Sequence, residues 1–420
     1  MSLGPIVVQK YGGSSVATAE KILAIAARVQ AYLETHPHIV VAVSAMGKTT
    51  DQLVALARQV SKNPHGRDYD LLLASGEQVA VATLALALQD KGVPAIALTG
   101  AQCNIRTDGS FNRARIQSID TARIVEELGK GKVVIVAGFQ GVTANDEVTT
   151  LGRGGGDITG AAVAAALDAS VCEICTDVDG VLSADPNVVP DARFWPELSY
   201  EAAIEMASSG AKVLHPRAAE ICMSYNIPIH IRSSFHLKEG TWIREGASEM
   251  EEAEIVGVTS DKKIAKVTLL NVPDEPGIAA QIFKDVSDKD INIRLIIQSA
   301  AADHRAGITF IIEDEFADAA RKLVADWKQK GLAKEGTVEK GVATIAIIGS
   351  RLAATPGLSG RMFAALAREK INVDCISSSE MTMSCVIALE DIERGVKAVH
   401  DEFFANAPVA RVANRYVADR

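Results

Sequence analysis

Over roughly the first 235 residues, short β-branched runs alternate with helical patterns. "IVVQK" precedes "TAEKILAIAARVQAYLETH", where Ile22, Ile25, Ala26, Val29 and Leu33 recur on one helical face. "IVVAVSAMG" precedes the helix-like "TTDQLVALARQV", and a long helical stretch, "YDLLLASGEQVAVATLALALQDKG", precedes the strand "AIALTG". Next come "VVIVAGFQG", then "VTTLGRGGGD" running into the Ala-rich "ITGAAVAAALDA", then "VCEICTDVDG". Strands that are apolar throughout and separated by helices predict an α/β fold, a three-layer α-β-α sandwich around a mainly parallel sheet. The Gly-, Ser- and Asp-rich loops all follow strands. They therefore gather at the carboxyl edge of the sheet, where such folds hold ligands.

From about Ser260 the pattern changes and the chain repeats itself. "EPGIAAQIFKDVSDKDINI" lies on "TPGLSGRMFAALAREKINV" without a gap, with Pro276 over Pro356, Gly277 over Gly357, Phe283 over Phe363 and Asn292 over Asn372. Each copy reads β-α-β-β-α, which predicts two homologous small α+β domains. The charged, Gly-bearing "HLKEGTWIREGASEMEEAEIVG" between the two regions reads as a linker. The expected division is 1–240, a linker at 241–260, and repeats at 261–340 and 341–420.

A chain of 420 residues suits two or three domains. Its net charge of −10 makes a poor surface for nucleic acid or anionic membrane. Any phosphate it binds must be held by a local site. We expect no apolar run near the roughly 18 residues that span a bilayer, and "MSLGPIVVQK" lacks the parts of a secretory leader. The six scattered cysteines fit free thiols in a reducing compartment, so the expected location is cytoplasmic. Cys172 and Cys175 have the spacing of a redox or zinc motif, but side chains three apart on a strand point to opposite faces.

Lys10 ends the first strand at the turn Tyr11-Gly12-Gly13. Glycine lets backbone come close to a ligand, successive amides before a helix make an anion nest, and lysine adds a point charge for a phosphoryl oxygen. The bland alternative is a solvated lysine beside a tight turn. In "GRGGGD", Arg153 offers a fork for a carboxylate, and Gly154, Gly155 and Gly156 spend conformational entropy with no evident structural return. Asp157 can cap the following helix, sit near a metal or hold a catalytic lysine. "TDVDGVLSADP" is either an exposed Asx-rich turn or a loop bordering a nucleotide. "SGAKVLHPR" brings a second lysine, Lys212, and a His215 that suits packing or capping better than base catalysis.

In this order, "KYGGSSV", "SAMGKTTD", "ASGEQ", "LGRGGGD", "TDVDGVLSADP" and "GAKVLHPR" resemble the amino-acid-kinase family. With two tandem ACT-type (ferredoxin-like) repeats behind them, the resemblance is to the aspartate kinases, and it covers essentially the whole chain. It implies transfer of the ATP γ-phosphoryl group to the β-carboxylate of L-aspartate, giving 4-phospho-L-aspartate, with Mg²⁺ carried mostly by the phosphates. The implied catalytic residues are Lys10, Asp157, which would orient the lysines, and Lys212. The implied nucleotide pocket is Lys10, Tyr11, Gly12, Gly13, Ser44, Thr176, Asp177, Leu182, Ser183, Ala184, Asp185, Pro186, Asn187 and Lys212. Thr50, Glu77, Arg153, Gly154, Gly155 and Gly156 would serve the amino-acid substrate, Glu77 meeting its ammonium and Arg153 a carboxylate.

The implied effector positions are Asp274, Gly277, Asn292, Ile293, Arg294 and Gln298 in the first repeat, and Asn372, Val373 and Ser378 in the second, for lysine or threonine. No protein metal ligand is singled out. The resemblance also implies a homo-oligomer through the ACT repeats, or a separate regulatory subunit started near Met250. Departures are Gly156 where the family has serine, Leu182 for an aromatic, Ser183 for threonine and Asn187 for a basic residue. Two other readings stand beside this one. They are an acyl-phosphate-forming kinase for another amino-acid carboxylate, and an amino-acid-binding regulator with an inactive kinase domain.

Overall fold

A computed structural model describes residues 3–246, 254–299, 304–350, 352 and 354–405. Met250 lies outside the described residues. The chain forms two compact units: Met1–Val181, Phe194–Ser208 and Lys212–Met250 make the first, and Leu182–Arg193, Ser209–Ala211 and Glu251–Arg420 the second.

The first unit is built on an eight-stranded sheet. Its order is Glu197–Leu198, Thr241–Ile243, Ile229–Ser233, Val171–Thr176, Ile6–Tyr11, His38–Val43, Val133–Ala137, Ala95–Leu98. The last six strands run parallel, and Thr241–Ile243 is antiparallel to Ile229–Ser233. The central strands are almost wholly buried, as their unbroken apolar runs require.

Helix Ala19–Tyr32 starts at Thr18, whose hydroxyl accepts the Lys21 amide, and it buries Ile22, Ile25, Ala26 and Val29 at helical spacing. It shares one core with helix Arg67–Asp90. On the opposite sheet face, Gly160 of helix Gly155–Ala166 lets that helix close on Lys10: a β-carbon there would lie 3.0 Å from the Lys10 Cβ.

Two expectations are corrected here. Helix Arg67–Asp90 is long and apolar enough to cross a membrane by composition, with a mean hydropathy of 1.7 over its best 18 residues. It is a core helix that buries Leu73, Ala74, Leu84 and Leu88 along with Asp70 and Glu77. The sequence also gave no sign of a four-stranded side sheet of Ile116–Ile119, Ile105–Thr107, Gln140–Val142 and Val148–Thr150. Strands of three or four residues carry too little alternation to be seen.

The second unit holds one six-stranded antiparallel sheet, ordered Ile293–Ser299, Arg305–Glu313, Gly257–Pro273, Glu335–Ile348, Thr382–Ala388, Cys375–Ser378. Strand Gly257–Pro273 pairs with Glu335–Ile348 in two stretches: 266–270 meets 335–339 at the end of the first repeat, and 257–261 meets 344–348 of the second. Gly277 (φ +101°) and Gly357 (φ +92°) cap helices Ile278–Ser287 and Leu358–Arg368 in the left-handed region, which accounts for the paired Pro-Gly. Segment Leu182–Arg193 also belongs to this unit, with Ala184 and Val189 in the core of the second repeat.

Candidate active site

The carboxyl ends of the parallel strands bring the first two glycine loops together. The Ser44 amide donates to the Tyr11 carbonyl (3.1 Å) and the Gly47 amide to the Gly13 carbonyl (3.0 Å). Gly13 is obligatory, since a β-carbon there would lie 2.8 Å from the Ala45 carbonyl oxygen. The Lys10 side chain curls back over this turn; its Nζ would be 3.4 Å from a β-carbon on Gly12.

Asp157 holds that ammonium. Lys10 Nζ lies 2.5 Å from Asp157 Oδ1, and both side chains are about seven-eighths buried, at 12% and 13% exposure. The second oxygen, Oδ2, accepts the His215 amide at 3.2 Å. Helix Gly155–Ala166 is capped by Gly154, so Asp157 stands in its first turn and serves the start of helix Pro216–Ser224 instead. Asp157 therefore orients one lysine, not two. Lys212 is exposed in the turn before that second helix, and among the described residues the Asp157 ion pair is with Lys10.

The third glycine loop packs tightly around this pair. A β-carbon on Gly154 would overlap the His215 ring, and one on Gly155 would lie 2.6 Å from Phe139 Cδ2. A side chain at Gly156 would overlap Ser44 Oγ and come within 3.2 Å of Lys10 Cε. Ser44 Oγ already fills the space that a side chain at Gly156 would take. Burial pushes the His215 pKa down, against the opposing pull of Asp157. Phe139 was not singled out from the sequence, yet its φ of +66° is fixed from both sides, its amide donating to Thr159 Oγ1 and its carbonyl accepting the Leu151 amide. Its only signal was the flanking Gly138.

Glu77 lies behind the Ser44–Gly47 loop and is 2% exposed. Its Oε1 accepts the Ala45 amide at 3.1 Å, while Oε2 has no hydrogen-bond partner among the described residues. Burial pushes its pKa up to about 7, despite that amide. Thr50 is half-buried in the first turn of helix Thr49–Val60, and Arg153 is exposed at the loop tip. Thr176 and exposed Asp177 end the strand beside Ile6–Tyr11 and share a hydrogen bond of 3.2 Å.

Several of the expected ligands have their own partners within the fold. The Tyr11 ring is fully buried on the face opposite Lys10, its hydroxyl donating to Gln9 Oε1, so only its backbone reaches the turn. Ser183 and Ala184 are buried inside the second unit, where Ser183 Oγ accepts the Arg193 amide and lies 2.8 Å from His400 Nε2. Asp185 folds into an Asx turn, accepting both the amide and the side chain of Asn187 at 2.9 Å. Leu182 is half-buried, and Pro186 and Asn187 are exposed.

In the first repeat, Asp274, Gly277, Asn292 and Gln298 are exposed, whereas Ile293 packs on the repeat's core. Arg294 is tied to Asp261 and to Glu313 (3.3 Å), its own chain's acids. In the second repeat Asn372 and Ser378 are exposed and Val373 packs inward. The two thiols of "VCEIC" diverge as expected: Cys172 faces Gly160, and Cys175 joins the core on the other face.

The chain matches the amino acid kinase family over residues 5–233 and the ACT domain over residues 266–331 and 345–403. It is 41% identical to aspartokinase 2 of Bacillus subtilis over 398 residues, covering 95% of this chain and 97% of that one. It is 43% identical to the aspartokinase of Mycolicibacterium smegmatis over 404 residues, covering 95% and 96%. Among solved structures it superposes on E. coli aspartokinase III in complex with aspartate and ADP (R-state), with a TM-score of 0.81, 25% identity, and coverage of 95% of this chain and 100% of that one. The same E. coli enzyme in complex with lysine and aspartate (T-state) gives a TM-score of 0.71.

Proposed function

The chain belongs to the aspartokinases of the amino acid kinase family, and from that membership we propose that ATP is its phosphoryl donor and 4-phospho-L-aspartate its product. A β-carboxylate oxygen of aspartate forms a bond to the γ-phosphorus, the bond to the β,γ-bridging oxygen breaks, and ADP leaves with the electron pair. An aspartate side chain titrates at about 3.9, so the nucleophile is already ionised and no general base is needed.

The observation that carries the reading is the Lys10–Asp157 pair set beneath three glycine loops. Phosphoryl transfer is loose, with little covalent work for the protein, and is driven by alignment and charge neutralisation. Lys10 supplies the charge at a fixed point and the Gly12 and Gly13 amides supply donors. Glu77 meets the substrate ammonium through its unpartnered oxygen, and Arg153 meets a carboxylate. Mg²⁺ keeps its waters and rides on phosphate oxygens.

We further propose that this step opens lysine, threonine and methionine biosynthesis, in the cytoplasm, and that lysine or threonine feeds back at the exposed positions Asp274, Gly277, Asn292 and Gln298. The lysine complex of the E. coli relative and the two ACT matches support the feedback, and we propose as well a homo-oligomer joined through the repeats. The expected linker at 241–260 is corrected: Thr241–Ile243 is a strand of the first unit's sheet, and residues 257–260 open the long strand of the second. The deciding experiment traps acyl phosphate as hydroxamate, with aspartate, glutamate and acetylglutamate as acceptors and with lysine or threonine added. A dominant response to glutamate would overturn the substrate assignment.

A further inference from the structure

Asp70 is fully buried in the first turn of helix Arg67–Asp90. A carboxylate in such a place is expensive unless its lone pairs are met, and here four donors meet them. Oδ2 accepts the amides of Asn112 (2.9 Å) and Thr150 (2.8 Å), and Oδ1 accepts Asn112 Nδ2 (2.5 Å) and Thr150 Oγ1 (2.7 Å). Asn112 Oδ1 returns to the helix, accepting the Gly66 amide that precedes it (3.0 Å). The Ala114 amide donates to the Thr150 carbonyl (2.8 Å), closing the knot.

The knot sits between two functional groups. Thr150 is three residues before Arg153, and Gly152 between them (φ +77°) packs on the Asn112 carbonyl, 3.2 Å from where a β-carbon would be. Glu77 is seven residues after Asp70, two helical turns along the same buried face, or about 10 Å at the helical rise. One rigid helix thus fixes Glu77 at one point and, through Asp70, the root of the Arg153 loop at another.

We propose that Asp70 is a positioning residue that sets the span between Glu77 and Arg153 and so selects the length of the amino-acid substrate. This rests on the substrate roles given to Glu77 and Arg153 above. A rigid span discriminates by one methylene, a change that a fitted pocket resolves by about 10- to 200-fold. Loosening the knot lets the Arg153 loop drift, so the preferred acid loses affinity while a longer one does not.

The test uses the full-length enzyme with two variants, Asp70→Asn and Thr150→Val. Thr150→Val keeps the shape and removes one donor, so it answers the question even where Asp70→Asn does not fold. The expected result is a rise of about tenfold in the KM for aspartate, with kcat and the KM for ATP nearly unchanged and the inhibition constant of glutamate within about twofold of wild type. Equal losses for both acids, or a fall in kcat alone, would make Asp70 merely structural and overturn the inference. Glu77→Gln and Arg153→Ala run in parallel. If neither raises the aspartate KM, the substrate assignment itself fails and the inference falls with it. If both raise it while Thr150→Val leaves the preference unchanged, only the inference fails.

Discussion

Glu173 and Glu77 are buried to the same depth in the first unit, 1% and 2% exposed, and reach opposite electrostatic states. Glu173 sits in mid-sheet, in register with Gln9 and His230 on the neighbouring strands. It accepts Gln9 Nε2 at 2.8 Å, the Tyr32 hydroxyl at 3.0 Å and Arg232 at 3.1 Å, with His230 Nδ1 at 3.5 Å. Burial pushes its pKa up, but the His230 contact, Arg232 and Gln9 together bring it down to about 2. Glu77 has one donor, and burial prevails. The difference separates architecture from function. Where the chain fills every lone pair, the charge is fixed for the fold. Where it leaves one open in a dry place beside the glycine loops, as at Glu77, the open oxygen is the one we propose a ligand meets.

The comparison is most sharply broken at Lys10. Its ammonium is held by Asp157 from one side only and faces the glycine turn on the other. Lys10→Ala should lower aspartate-dependent ADP release by about 10³-fold, the scale for losing one preorganised charge at a transfer site. The variant leaves Asp157 buried without its ion-pair partner, so the unfolding midpoint should fall as well, and turnover is compared on the folded fraction. Turnover within tenfold of wild type would remove Lys10 from the reaction.

Glu173 tests the opposite class. Glu173→Gln leaves Arg232 and His230 buried against a neutral group, and removing one partner of a buried pair destabilises by about 3–5 kcal/mol. Urea unfolding at pH 7 should show that loss, while the folded fraction keeps its KM for aspartate. A near-neutral effect would mean that the network is decorative.

Glu77 should behave in reverse. Its folded pKa is raised from 4.5 to about 7, so the native state holds a proton that the unfolded chain has lost across that window. Stability therefore falls as pH rises from 4.5 to 7, by about 3 kcal/mol at 1.36 kcal/mol per unit. Glu77→Gln should be more stable than wild type at pH 8 by up to that amount and equal to it near pH 4. Its KM for aspartate should rise, because the ammonium loses its partner. A variant less stable than wild type at pH 8 would show that the Ala45 contact outweighs the desolvation.

The two classes were unequally legible in the sequence. Lys10, Gly12, Gly13 and Asp157 could be read because strand end, turn and helix start are contiguous, and their chemistry is local. The Pro-Gly of each repeat was readable for the same reason: one left-handed residue sets the helix cap. The satisfied networks were not. Glu173 meets Gln9 across 164 residues, and Asp70 meets Thr150 across 80. No periodicity announces such a partner. At Tyr11 a motif carried over by sequence position names the residue but not its face: strand alternation buries the ring and leaves the backbone at the turn.

Ser183 gives the smallest effect and belongs with Glu173. Its hydroxyl accepts the Arg193 amide and shares a 2.8 Å hydrogen bond with His400 Nε2, while the His400 ring stacks on Phe404 at 4.5 Å. Burial pushes the His400 pKa down, against the opposing pulls of Asp401 and Asp191. A histidine depressed in the folded state stabilises fully above its unfolded pKa of about 6.5, and that contribution fades as the pH falls below it. Ser183→Ala should remove about 1 kcal/mol at pH 8, the scale of one buried hydrogen bond. His400→Gln should flatten the acid side of the unfolding curve between pH 5 and 7 without changing turnover at pH 8. If instead both variants lowered turnover at pH 8 with stability intact, Ser183 would move into the class of groups kept for a ligand, and the criterion drawn from Glu173 and Glu77 would fail at this site.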